Sequence, residues 1–160
     1  MNYHFVVLLA LTTLYAFWAG GGPERVGASA YALSVAITHL ALLASRHMWL
    51  DIETGVLIVD AATFVIFVLI ALRANRFWPI WVSALLGIAL LGHLARFVMP
   101  DTYWRAYAMV LVMWSYPILG LMALGTFLHR GRLARYGVDR SWTNSSGRSD
   151  PPPPPGPTAS

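Results

Sequence analysis

TGVLIVDAATFVIFVLIAL, residues 54–72, carries one charged side chain, Asp60, in nineteen positions. At about 1.5 Å of rise per residue such a helix reaches across a bilayer core about 30 Å thick. Arg73 and Arg76 close the run on one side, and Asp51 and Glu53 mark a loop on the other. The rest of the chain repeats this pattern.

Four more apolar runs flank the first: Tyr3–Ala19, Ala28–Ser45, Phe77–Met99 and Tyr103–Leu128. The 160 residues are 58% hydrophobic and 11% charged, where soluble domains are about 25% charged. Mean hydropathy is +0.60. The expected fold is therefore all-α, a polytopic transmembrane bundle of about five spans over residues 1–135. Residues 136–160 turn polar, then Ser/Gly-rich, and run into Pro151–Pro155. That segment reads as a disordered, cytoplasmic, proline-rich tail.

Local punctuation sets the boundaries. Gly20–Gly21–Gly22–Pro23 reads as a helix stop with Glu24 and Arg25 in a short loop. Pro79 sits in a first helical turn, where its missing N–H costs nothing. Pro117 falls inside the last run, where a kink with locally satisfied carbonyls is expected. The first run lacks the basic n-region of a cleaved signal peptide, so a true first span is preferred. A four-span chain with that run lying on the surface is the alternative, and its scarcity of charge argues against it.

Orientation follows from arginine, since Lys is absent. With the tail inside, eight Arg fall on the cytoplasmic side: Arg25, Arg73, Arg76, Arg130, Arg132, Arg135, Arg140 and Arg148. Arg46, Arg96 and Arg105 fall outside. Five spans then put the N-terminus outside, in agreement with the positive-inside rule. Trp18, Phe77, Trp78 and Trp81 fall near the inner interface; Tyr3, Trp49, Tyr103 and Trp104 fall near the outer one. The basic balance reflects topology or anionic lipid, not nucleic acid.

Ionisable groups inside a span need a reason. His39, Asp60 and His93 come from three different runs. Counted from the outer ends, all three lie about 9 Å deep, six residues at the helical rise. Thr63 lies one turn from Asp60 and Glu53 two turns away on the same face. This layer admits several readings. His39 and His93 could be the two axial ligands of a b-type haem. His39, Asp60 and His93 could hold a divalent metal or handle protons. The plainest reading is a hydrogen-bonded cluster that joins helices.

Other signals are generic. Ser83/Gly87 and Gly120, Ala123 and Gly125 are small positions suited to close helix packing, within one chain or in a homo-oligomer. Arg148, Pro151 and Pro154 match a polyproline-ligand spacing that five consecutive prolines produce by themselves. Asn144–Ser145–Ser146 is a sequon on the expected cytoplasmic side. The absence of Cys excludes disulfides and thiolate chemistry. No catalytic motif and no intramembrane carboxylate pair is present. A non-enzymatic accessory or structural membrane protein with membrane-protein partners is therefore expected, the alternative being a cofactor-, metal- or proton-binding one.

Gly22–Pro23–Glu24–Arg25–Val26–Gly27–Ala28 and the stretch from Asp60 to Trp81, including Asn75–Arg76–Phe77–Trp78–Pro79–Ile80–Trp81, resemble small uncharacterised polytopic membrane proteins of Arg-rich bacteria. The resemblance implies a bacterial inner-membrane location and attaches no activity.

Overall fold

The computed structural model describes residues 3–44, 52–98, 104–137, 139 and 142, with backbone alone at 44, 52–53, 95–98 and 104–112. Among these residues the chain forms five α-helices and no strand: α1 (Tyr3–Ala19), α2 (Gly22–Ala44), α3 (Ile52–Arg73), α4 (Trp78–Val98) and α5 (Trp104–Tyr136). The boundaries of α1, α3 and α4 follow the apolar runs to within about two residues.

Two boundaries differ, each for a local reason. The turn between α1 and α2 is only Gly20–Gly21, because the stop for one helix is also the start of the next. Pro23 fits the first turn with its fixed φ. Glu24 reaches back so that Oε2 accepts the Gly21 N–H at 3.1 Å, half of a capping box. Residues 22–27 are thus helix rather than loop. At the other end α5 runs past Leu128 to Tyr136 and closes at Gly137, whose φ of 71° is the left-handed conformation that glycine adopts freely. The Gly137 N–H donates to Leu133 O at 2.9 Å, an αL cap. Helix α5 continues through Pro117 without interruption.

Successive helices pack side by side, α1 closes the circuit against α5, and α2 also touches α5. The short turns make neighbours antiparallel. One end of the bundle therefore gathers the C-termini of α1, α3 and α5 with the N-termini of α2 and α4. We call it the tail end, and the opposite one the far end.

Trp78, the first residue of α4, fills the centre of the tail end and is 1% exposed. Its ring meets Phe67 of α3 edge-on at 6.2 Å. On two further sides the indole lies against helix positions that only glycine can occupy. A Cβ on Gly27 would come 2.7 Å from Trp78 Cη2, and a Cβ on Gly125 would run into the indole five-membered ring. Val82, Met122 and Ala28 complete this core. Phe5 and Tyr116 pair edge-on at 5.7 Å toward the far end.

Outward faces are apolar on every helix, including Leu14 of α1, Leu40 of α2, Leu72 of α3, Leu91 of α4 and Phe127 of α5. By length and composition two helical stretches are apolar enough to cross a membrane, Gly22–Leu43 and Thr54–Arg73, while Tyr3–Ala19 and Trp78–Leu94 are shorter apolar helices.

Asp139 and Trp142, beyond the end of α5, are placed as well. Trp142 forms an isolated antiparallel bridge with Ala74, and its indole nitrogen lies 2.7 Å from where a Gly22 Cβ would be. Asp139 is held by side chains described below. The proline run lies outside the described residues.

Replacing Gly125 by Ala should lower the Tm of the detergent-purified protein, since overpacking typically costs about 1–3 kcal/mol. Gly120→Ala should not, because nothing lies within 4 Å of a Cβ there. Equal melting of the two variants would contradict this packing.

Candidate functional site

Two polar regions stand out, one at each end. At the far end, α2, α3 and α5 part to leave a partly open cavity of about 470 Å³. Tyr31, His39, Asp60, Thr63, Ser115 and Tyr116 give it polar walls, and Phe5, Val56, Leu86 and Trp114 contribute apolar ones. Helical spacing puts Asp60, Thr63 and Val56 on one face of α3, and Tyr31, Val35, Thr38 and Leu42 on one face of α2.

Hydrogen bonds within the protein engage the hydroxyls of Thr63, Ser34, Tyr31 and Ser115. Thr63 Oγ1 donates to Val59 O at 2.7 Å, Ser34 Oγ donates to Tyr31 O at 2.8 Å, and Tyr31 shares a side-chain hydrogen bond with Ser115. Asp60 differs. One oxygen, Oδ2, lies 3.0 Å from His93 Nε2, and the Asp60 side chain stays 29% exposed against 8% for His93. His93 thus backs the carboxylate from α4, and Asp60 faces the cavity.

The layer expected at common depth is partly assembled. His93 and Asp60 meet directly, and His39 shares the cavity wall with Asp60. The three do not form one ligand set. Among the described residues no group of three His, Asp or Glu side chains is placed to hold a metal ion. The two histidines named as candidate haem ligands, His39 and His93, sit differently. His93 directs Nε2 to Asp60, and His39 lines the cavity. Glu53, Arg46 and Arg96 have side chains outside the described residues.

At the tail end sits a buried charge network. Glu24 and Arg76 form an ion pair, Oε1 to Nε 3.2 Å, with side chains 0% and 3% exposed. Trp78 Nε1–H donates to the same Oε1 at 3.2 Å. With the Gly21 N–H on Oε2, the Glu24 carboxylate accepts three N–H groups. Arg76 also reaches Asp139, Nη1 to Oδ1 2.8 Å and Nη2 to Oδ2 2.8 Å, a bidentate pairing of the strong kind. Arg132 Nε lies 3.2 Å from Asp139 Oδ2.

His129 Nδ1 stands 2.6 Å from Asp139 Oδ2 and 3.1 Å from Arg76 Nη2. A guanidinium can only donate. The shorter contact fixes the tautomer: Nδ1 carries a proton and donates to Asp139, so the Arg76 contact is not a hydrogen bond. Among the described residues no buried side-chain nitrogen or oxygen lacks a partner. Nearby, Arg130 stacks over the Trp18 ring at 4.5 Å and ties α5 to α1.

Burial pulls the Asp139 carboxyl upward, yet hydrogen bonds from His129, Arg76 and Arg132 with the charge of Arg76 outweigh it and hold the group below its usual value. The docked tail therefore favours ionised Asp139. Its contribution is complete above the ordinary carboxylate range, near about 3.9, and is lost as pH falls through the lowered value.

Reading the sequence for topology missed this network, because Glu24, Arg76 and His129 each sit at the end of an expected span, where a charge needs no further explanation. One signal was present: Glu24 stands three residues after Gly21, the spacing at which a carboxylate caps a helix. Comparison with protein-family models, curated proteins and solved structures finds no match.

Arg76→Met should destabilise the protein by about 3–5 kcal/mol, as expected when one partner of a buried pair is removed. The double variant Glu24→Gln/Arg76→Met should recover part of that loss in detergent unfolding measurements. Asp139→Asn should leave the bundle folded but expose the segment after Tyr136 to limited proteolysis at neutral pH. Wild-type protein should show the same exposure only in acid.

Proposed function

We propose that this chain is a five-span integral protein of a bacterial inner membrane, N-terminus outside and C-terminus cytoplasmic, that binds a small molecule without transforming it. The membrane part rests on exposure. The apolar windows of α2 and α3 are only 22% and 17% buried within the protein, whereas the core helix of a soluble protein is mostly buried. Large apolar side chains facing outward on all five helices far exceed the scattered ones that water tolerates. Lipid is the solvent that suits them. The shorter α1 and α4 complete the same wall, since they pack along α5, α2 and α3.

The orientation rests on the arginine distribution. At the tail end Arg73, Arg76, Arg130, Arg132 and Arg135 gather with Trp18 and Trp81, a composition suited to a cytoplasmic interface. The cavity then lies in the outer half.

Binding rests on one observation, the 470 Å³ cavity with the Asp60 carboxylate on its wall. Small-molecule sites span about 300–1,000 Å³ and combine apolar walls with a few polar groups. A bundle needing only internal cohesion would close over Asp60 instead of leaving space beside it.

The protein should remain in the membrane fraction after alkaline carbonate washing, and an alkaline phosphatase fused after Ser160 should be inactive. An active fusion would reverse the orientation. For the cavity, native mass spectrometry of gently purified protein should show a bound small molecule that Ala89→Phe, which fills the space, removes. Cargo unchanged in that variant would rule out the cavity as its site.

A further inference from the structure

The chemistry of the cavity wall narrows what it takes. Asp60 is the carboxylate among the described wall residues, and no Arg is among them; the chain contains no Lys. The Asp60 carboxylate is backed by His93 Nε2 at 3.0 Å. Oδ2 is engaged by that bond, and the side chain remains part-exposed. Phe5, Tyr31, Trp114 and Tyr116 line the same space. Aromatic faces are the negative poles of their quadrupoles and attract cations within about 6 Å.

These features act in one direction. A carboxylate at membrane depth is costly unless a positive partner reaches it. A neutral guest leaves that cost in place, and an anionic guest adds repulsion. A bare metal ion would require several oxygen or nitrogen ligands, and the described side chains provide no such set. A cation with an apolar body satisfies both parts of the wall at once.

We infer that the cavity binds an organic cation, an amine or quaternary ammonium carrying a compact apolar group, with its charge against Asp60 and its body among Tyr31, Trp114 and Tyr116. This rests on the cavity being a binding site, as proposed above. His93 acts as the positioning residue that turns the carboxylate toward the guest. His39, on the same wall, bounds the site on the α2 side.

The test compares two molecules of matched shape, benzyltrimethylammonium and its uncharged carbon isostere neopentylbenzene. Each is titrated calorimetrically into the full-length protein in detergent, with empty micelles as the blank. The cation should bind saturably and at least tenfold more tightly than the isostere. Asp60→Asn should weaken the cation at least tenfold and leave the isostere unchanged. The comparison of the two probes on wild-type protein needs no variant, so it holds even if Asp60→Asn fails to fold. Equal binding of both probes, blocked by Ala89→Phe, would overturn the cation inference and leave the cavity as a binding site for neutral molecules. No saturable binding of either by folded protein would overturn the cation inference. If Ala89→Phe also left the co-purified cargo unchanged, the binding reading would fall with it.

Discussion

Glu24 and Arg76 meet where five helix ends converge, and neither side chain is exposed beyond a few per cent. Removing two such charges from water carries a penalty of several kcal/mol per ion. It is offset only when every remaining lone pair and proton finds a partner. Here the carboxylate accepts from the Gly21 backbone, the Arg76 guanidinium and the Trp78 indole, and the guanidinium passes its other nitrogens to Asp139. The pair therefore dictates its surroundings. Trp78 must sit close against α2 and α5, so Gly27 and Gly125 must lack side chains. The α1–α2 turn must be short, so that Glu24 can cap its own helix while it binds Arg76. The first residues of the tail must return to the bundle to complete the guanidinium.

Much of the fold was legible in the residues. Apolar run length fixed α1, α3 and α4 closely, because a helix in an apolar setting extends until charge or a breaker stops it. Glycine and proline proved ambiguous. Gly20–Gly21–Gly22–Pro23 looks like a long break, but half of it is the first turn of α2, and only the Glu24 contact reveals this. The end of α5 was hidden because the stretch after Leu128 is Arg-rich, a good helix former, and the helix runs through Gly131 to end at Gly137.

The site was legible in depth but not in rotation. Equal distance from the span ends placed His39, Asp60 and His93 in one layer, and the structure brings Asp60 to His93 and places His39 on the same cavity wall as Asp60. How each helix turns about its axis depends on packing far from the layer, such as the seat of Trp78 against Gly27 and Gly125. Counting along a single chain cannot supply that, so a three-residue ligand set looked available where the structure has a pair and a separate wall residue. The cavity itself is made by spaces between helices, which leave no mark in sequence spacing.

Order of synthesis gives the ion pair a further meaning. Glu24 precedes Arg76 by 52 positions, and Trp142 comes from the chain's last fifth. During vectorial synthesis the α1–α2 hairpin therefore exists for some time with its carboxylate unmatched. In the membrane setting proposed above, a free carboxylate keeps to water, so the hairpin's turn would stay at the aqueous boundary until the α3–α4 turn arrives with its guanidinium. The contact that later locks the tail end would thus first serve as an anchor, holding the earliest turn at the surface where its partners emerge.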